Sequence, residues 1–220
     1  MNLTPRLMRT SDLGSSDTMS IAYTGEVSTY GEHEELAGRG INWWGMAFFI
    51  ASEALIFANL IASYLYLEIR NGNWRPPVDY IIPIIGTVLL LGSSIPVRFA
   101  GDAISKGNQR NLRIGLTTTI LMGAAFLVGL GIEYYGAIVE HNFTPSSSLQ
   151  GSCFYALTGL HASHVIVGLI FLFVVLMRSL RGDFTAKKHW AIVAGEMYWH
   201  FVDGVWVFVL TVVYLLPLIR

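Results

Sequence analysis

Five long apolar stretches constrain this chain more than any other feature of its sequence. They cover residues 42–69, 80–100, 112–134, 152–177 and 192–218. Each is long enough to cross the hydrocarbon core of a bilayer as a helix, which takes about 20 residues. None shows the alternating pattern of about ten residues that is typical of a membrane β-barrel. The chain is therefore predicted to be all-α, an integral membrane bundle of five transmembrane helices.

The composition agrees with a protein that has lipid as its solvent. Of 220 residues, 53% are hydrophobic and 13% charged, whereas soluble domains carry about 25% charged residues. The net charge of -1 provides no basic face for phosphates, which argues against nucleic acid as a partner. The single cysteine, Cys153, excludes an intrachain disulfide framework and a cysteine-based metal site. The polar residues 1–40 are predicted to form a flexible tail, and residues 41–220 the membrane domain.

The basic residues predict an orientation. Eleven of the 14 Lys and Arg residues lie in the tail or in the regions of the second and fourth connecting segments, including the adjoining ends of the spans. Positively charged segments remain in the cytoplasm, so the N-terminus is predicted inside and the C-terminus outside. No apolar signal-peptide core precedes the first span, and the helices themselves are expected to direct insertion.

Six ionisable residues lie at membrane depth, where a charge costs at least about 2.5–3.5 kcal/mol and therefore indicates a function or a specific partner. Spacings of three or four residues place those of each span on one helical face. The first-span glutamate and the histidines are expected to share a layer. The six are Glu53 in the first span, His161 and His164 in the fourth, and Glu196, His200 and Asp203 in the fifth.

These residues permit three interpretations. Acids and imidazoles that face inward would satisfy each other by hydrogen bonding between helices. A proton pathway through Glu53 or Glu196 is a second, because such carboxyl groups can exist in both protonation states. A metal or b-type haem site is a third, but a di-iron site needs a Glu-x-x-His pair on each of two helices, and no acid accompanies His161. Glu133, near the end of the third span, is expected to reach water or lipid headgroups.

Two motifs in the last two spans resemble subunit III of the haem–copper oxidases. They are Gly-Leu-His-Ala-Ser-His-Val at residues 159–165 and Tyr-Trp-His-Phe-Val-Asp-Gly-Val-Trp at residues 198–206. The resemblance covers residues 40–220 and is to the bacterial five-helix form. Gly204 departs from the family, in which a larger apolar residue usually follows the aspartate. Further matches, in family order, are Ser52-Glu53, Asn73-Trp74, Pro76-Pro77, Ser93-Ser94 and Glu133-Tyr134.

The resemblance implies a non-redox, non-catalytic subunit of a bacterial plasma-membrane oxidase that reduces oxygen with electrons from cytochrome c. Haem and copper would belong to partner subunits, with subunits I and II as partners and no cofactor in this chain. Glu53 would be the family's buried membrane carboxylate, and the other five ionisable residues its polar interior, supporting assembly and sustained proton uptake. The family also implies bound phospholipids, and the candidate residues for that cleft are Trp43, Trp44, His161, His164 and Trp199.

Other functions remain open at this point. The same family includes subunits of quinol oxidases and accessory proteins of nitric oxide reductases, which differ in electron donor. An autonomous proton-coupled transporter, with Glu53, Glu196 and the histidines as its relay, would move protons alone in liposomes. A haem-binding cytochrome would show a Soret band in the isolated chain.

Overall fold

The computed structural model describes residues 40–72, 74 and 80–219. All of the predicted tail except Gly40 lies outside these residues, as do Asn73, Pro76 and Pro77. The described part contains five helices that are long and apolar enough to cross a membrane, which confirms the predicted fold. They are α1 (Ile41–Asn71), α2 (Ile81–Ser105), α3 (Gln109–Val139), α4 (Leu149–Leu180) and α5 (Trp190–Leu210).

Helices α3 and α4 begin before the predicted apolar stretches, and a polar side chain caps the N-terminus of each. The Asn108 side chain accepts a hydrogen bond from the Asn111 backbone N–H at 3.1 Å and so begins α3. The Ser148 hydroxyl accepts one from the Gly151 N–H at 3.0 Å and so begins α4. Such caps satisfy N–H groups that have no partner within the helix. Between α2 and α3, Gly107 adopts φ +75°, which suits the tight turn that makes these helices antiparallel neighbours.

Helix α5 occupies the interior of the bundle. Half of its most apolar window is buried, compared with 6% of the corresponding window of α1. Its Trp199 is completely buried between α3 and α4, where two glycines make room for the indole. A Cβ at Gly123 would lie 2.7 Å from the ring, and one at Gly168 would lie 3.1 Å from it. Small residues of this kind let transmembrane helices approach closely around a large side chain.

Helix α5 ends in a π-helical turn, Thr211–Leu215, followed by the short helix α6 (Leu216–Ile219). Pro217 has no N–H, so it cannot form the usual bond to the carbonyl four residues earlier, and the backbone changes its pitch nearby. The turn places Tyr214 in the interior, completely buried.

Candidate functional site

A polar bridge joins α1 to α4 near the middle of the membrane. His164 Nε2 lies 3.0 Å from Glu53 Oε2, and His164 Nδ1 lies 2.9 Å from the Leu160 carbonyl oxygen. A carbonyl oxygen only accepts, so Nδ1 carries a hydrogen and donates to Leu160. The bond between Nε2 and Oε2 then holds one further proton. Whether that proton belongs to the acid or to the ring, the pair has no net charge, which suits a site in lipid.

Aromatic rings surround the bridge and complete what we call the α1 seam, defined by Glu53, Phe57, His164, Tyr198 and Phe201. The Phe57 ring packs edge-on against the His164 ring at 4.9 Å and against Phe201 at 6.4 Å. Tyr198 donates a hydrogen bond to the His164 carbonyl at 3.3 Å. The bridge is thus shielded by rings but not closed, since Glu53 retains 21% side-chain exposure.

Two apolar cavities flank the α1 seam. The larger, about 550 Å³, lies between α1 and α5 and is lined by Ala54, Ala58, Ala62, Gly204 and Phe208, among others. The smaller, about 240 Å³, lies between the first turns of α1 and helices α4 and α5, beside Phe49 and Tyr198. Small α1 side chains therefore leave a cleft rather than a close helix contact.

The two histidines of the fourth span point to different neighbours. His161 is completely buried against Trp206 of α5, with ring centres 4.9 Å apart, and against Phe126 of α3 at 5.9 Å. Within the described part of the chain, neither ring nitrogen of His161 has a hydrogen-bond partner. His161 and Trp199 pack in the interior and line neither of the two cavities, whereas His164 lies in the α1 seam.

A second polar cluster joins α2 to α5. The Ser94 hydroxyl donates to Asp203 Oδ2, and His200 Nδ1 lies 3.0 Å from Ser94 Oγ. His200 Nε2 lies 3.8 Å from Glu196 Oε1, beyond hydrogen-bond distance. Helix α2 accommodates the glutamate at Gly101, where a Cβ would lie 2.5 Å from Glu196 Oε2. The three ionisable residues of the fifth span thus face α2 together.

Two tryptophans of α5 are tied to the same face of α2. Trp199 Nε1 donates to Ser93 Oγ at 2.8 Å, and Trp206 Nε1 donates to Thr87 Oγ1 at 2.9 Å. Sequence reasoning assigned no role to Thr87, Ser93 or Ser94, because small polar residues in a span are consistent with simple packing. The signal in the sequence that could have identified these residues is the pair of tryptophans in α5, because a buried indole N–H needs a hydrogen-bond acceptor on a neighbouring helix.

Glu133 contradicts the expectation that it reaches water or headgroups. It is 5% exposed, and Tyr214 donates a hydrogen bond to Glu133 Oε1 at 2.7 Å. The reason is that α3 continues to Val139, so Glu133 lies well inside the span, and the π-helical turn brings Tyr214 to it. Glu133 is therefore a buried carboxyl group, as Asp203 is.

The paired tryptophans at the start of α1 lie apart from these clusters. Trp43 and Trp44 pack edge to face at 5.1 Å, and Trp44 is 50% exposed, as suits a ring at the membrane interface. Among residues 40–72, 74 and 80–219, no group of three or more His, Cys, Asp or Glu side chains is placed to hold a metal ion.

Comparisons with known proteins agree with the motifs. A family model described as cytochrome c oxidase subunit III matches residues 17–217. Cytochrome c oxidase subunit 3 of Thermostichus vulcanus is 35% identical over 176 residues, which cover 78% of this chain and 86% of that protein. The Corynebacterium diphtheriae protein of that name is 36% identical over 77% of this chain and 85% of its own length. Cytochrome c oxidase subunit 3 of Oryctolagus cuniculus is 34% identical over 194 residues, which cover 84% of this chain and 72% of that protein.

Proposed function

Because the chain belongs to the cytochrome c oxidase subunit III family, we propose that it is the non-redox third subunit of a bacterial terminal oxidase. The complex would lie in the plasma membrane and reduce oxygen to water with electrons from cytochrome c. Haem and copper would be held by subunits I and II. This chain would support assembly, lipid binding and sustained proton uptake by its partners, without a catalytic centre of its own.

The observation that carries this proposal is that the polar groups at membrane depth are used between helices. His164 bonds to Glu53 and to a carbonyl, and His200 bonds to Ser94. The contacts of His164 with Glu53 and of His200 with Ser94 each join two helices, whereas the bond from His164 to the Leu160 carbonyl lies within α4. In lipid, polar groups must be satisfied internally. These contacts favour a scaffolding role over a relay that carries substrate through the bundle.

Lipid binding is supported by the cleft between α1 and α5. Its lining is apolar, its volume is about 550 Å³, and it lies beside the Glu53–His164 bridge. An acyl chain is apolar, as the lining of the cavity is, so it would fill this space without leaving a polar group unsatisfied. Gly204 contributes here, because the absence of a side chain at that position widens the cleft.

The proton-uptake role is proposed for the α1 seam. A carboxyl group that is hydrogen-bonded to an imidazole at membrane depth is a candidate for proton transfer, and Glu53 and His164 form such a pair. Glu53 is the acid of the seam, and part of its side chain remains exposed. Its effect would be exerted on the partner that takes up protons, so the first turnover would not depend on it.

The test is gentle purification of the tagged chain from its native membranes, followed by haem spectroscopy and mass spectrometry of what co-purifies. We expect haem-bearing and copper-bearing oxidase subunits and oxidation of reduced cytochrome c. A complex that oxidises quinol but not cytochrome c would contradict the electron donor. A haem-free chain isolated alone that moves protons in liposomes would contradict the function and favour a transporter.

A further inference from the structure

Two connecting turns lie side by side at one end of the bundle. The first links α2 to α3, and the second links α4 to α5. Gln109, at the start of α3, donates a hydrogen bond from Nε2 to the Phe184 carbonyl oxygen at 2.5 Å. Arg113, one helical turn later, donates one to the Ser179 carbonyl oxygen at 2.9 Å. The charged side chains of both turns therefore belong to one surface.

The second of these turns has a fixed shape. Arg178 Nε lies 3.2 Å from Asp183 Oδ2, and the guanidinium lies 5.1 Å from the centre of the Phe184 ring, which is buried. Thr185 and Lys188 exchange two backbone hydrogen bonds, at 3.2 and 3.1 Å, and so close the turn. Arg178 balances the charge of Asp183, and the other cations of this turn stay unbalanced.

The two turns and the adjoining helix ends form what we call the basic rim, residues 102–113 and 178–189. It contains seven Lys and Arg residues but only two Asp residues. The corresponding segments at the opposite end of the spans, residues 68–80 and 134–148, contain two Arg residues and three acids. Five cations of the rim are exposed and take part in no ion pair within the described part of the chain. They are Lys106, Arg110, Arg181, Lys187 and Lys188.

Exposed apolar side chains adjoin the basic rim where the spans begin. Ile114 follows Arg113 in α3, and Leu180 precedes Arg181 at the end of α4, and about half of each apolar side chain is exposed. Trp190, which begins α5 directly after the rim, is exposed as well, and an indole at the end of a span is typical of the headgroup level of a bilayer. The surface therefore combines cations with apolar groups suited to lipid chains.

We propose that the basic rim binds the phosphate groups of anionic phospholipids such as phosphatidylglycerol. Each Lys or Arg near a membrane surface strengthens the attraction to anionic lipids about 5-fold, so unbalanced cations on one surface select strongly for charge. The adjoining apolar residues would contact the acyl chains, which favours a lipid over a soluble anion or an acidic protein segment. No residue of the rim lines either apolar cavity. The cleft between α1 and α5 would select a lipid by its chains, whereas the rim would select the headgroup.

The test is a titration of the full-length chain, in the complex with which it purifies, with phosphatidylglycerol in micelles that contain phosphatidylcholine of the same acyl chains. Native mass spectrometry measures the bound lipids. We expect the wild type to prefer phosphatidylglycerol, and Arg181→Gln/Lys187→Gln/Lys188→Gln to lower that affinity roughly 100-fold, at about 5-fold for each charge removed. All three side chains are exposed, so the triple variant should fold as the wild type does.

A matched pair of single variants separates the basic rim from the rest of the surface. Lys188→Gln should lower the affinity for phosphatidylglycerol about 5-fold. Arg70→Gln, which removes an exposed cation at the opposite end of the spans, should leave it unchanged. Lys188→Arg keeps the charge and should also leave it unchanged. The wild-type affinity should fall as salt is added, because the Debye length shrinks from about 30 Å at 0.01 M to about 10 Å at 0.1 M.

Inorganic phosphate tests whether the rim prefers a lipid to a free anion. At equal ionic strength it should displace no more phosphatidylglycerol than chloride does, and stronger displacement would overturn the lipid proposal. Equal affinity for the two lipids, or an unchanged affinity in the triple variant, would overturn it as well. If the triple variant kept its lipid but lost a protein that co-purifies with the wild type, the rim would be a protein interface and the proposal wrong. These outcomes leave the proposed function untouched, because none of them depends on haem or copper.

Discussion

The α1 seam and the interior around α5 are both rich in aromatic rings, yet they are packed in opposite ways. Around α5, glycines of α3 and α4 close on Trp199 and leave no space for a methyl group. At the seam, alanines of α1 and Gly204 of α5 leave a cleft of about 550 Å³, and a polar bridge from α1 to α4 lies beside it. One region is therefore held by close packing of side chains, while the other has a hydrogen bond between helices and an open apolar cleft.

Removing the largest interior side chain should have the largest effect. We expect Trp199→Ala to lower the free energy of unfolding by about 3–5 kcal/mol, because it empties a site enclosed by neighbouring helices and frees the Ser93 hydroxyl. Unfolding by sodium dodecyl sulfate in mixed micelles measures this. The matched control is Trp44→Ala, a half-exposed indole on α1, which should cost less than about 0.5 kcal/mol. Equal losses would show that the two regions do not differ in packing.

Breaking the buried hydrogen bond between Glu133 of α3 and Tyr214 of the π-helical turn should have the second-largest effect on stability. Tyr214→Phe removes the hydroxyl that donates to Glu133 and leaves a buried carboxyl group without it, which costs about 1–3 kcal/mol. The same denaturation measurement applies, with Tyr135→Phe as the control because that side chain is exposed. No difference between the two variants would mean that Glu133 finds another donor.

Breaking the polar bridge should have a smaller effect on stability and a specific effect on turnover. Glu53→Ala should cost about 0.6–2 kcal/mol, the usual range for a hydrogen bond between membrane helices. In the oxidase we expect an unchanged first turnover and a faster loss of activity during continued turnover. Stopped-flow kinetics and an activity time course measure the two.

The conservative change at the same position sharpens this prediction. Glu53→Gln keeps an N–H that can donate to His164 Nε2, so it should retain most of the stability that Glu53→Ala loses. If glutamine and alanine shorten the active lifetime equally, the ionisable group matters there rather than the bridge. Loss of the first turnover in either variant would contradict the non-catalytic role.

Filling the cleft should have the smallest effect on stability. A Cβ at Gly204 would meet no atom within 4 Å, so Gly204→Leu should place its side chain in the cavity without a clash. We expect fewer bound phospholipids by native mass spectrometry and a change in stability within about 0.5 kcal/mol of the control. Gly131→Leu is the control, because it makes the same exchange at an exposed position of α3 with open space around it. Unchanged lipid content would contradict lipid binding in this cleft.

Sequence reasoning predicted the five helices and the depth of their polar residues because both depend on local composition. It did not predict which neighbour each residue meets. His161 and His164 share a face by spacing, but they are about 60° apart around the helix axis, enough for one to face α5 and the other α1. The predicted position of Glu133 was wrong because the helix continues beyond the apolar run and the π-helical turn at Thr211–Leu215 brings Tyr214 to it.

The bridge between Glu53 and His164 also bears on how the protein is made. Its two residues are 111 positions apart, so α1 leaves the ribosome long before α4 exists. During that interval the first helix lies in the bilayer before His164, the partner of its glutamate, has been made. Helices α2 and α3, by contrast, are consecutive in the chain and contact each other, so α2 gains its neighbour as soon as α3 is made. The bridge can therefore form only after α4 has been made, so α1 gains this contact late in the synthesis of the chain.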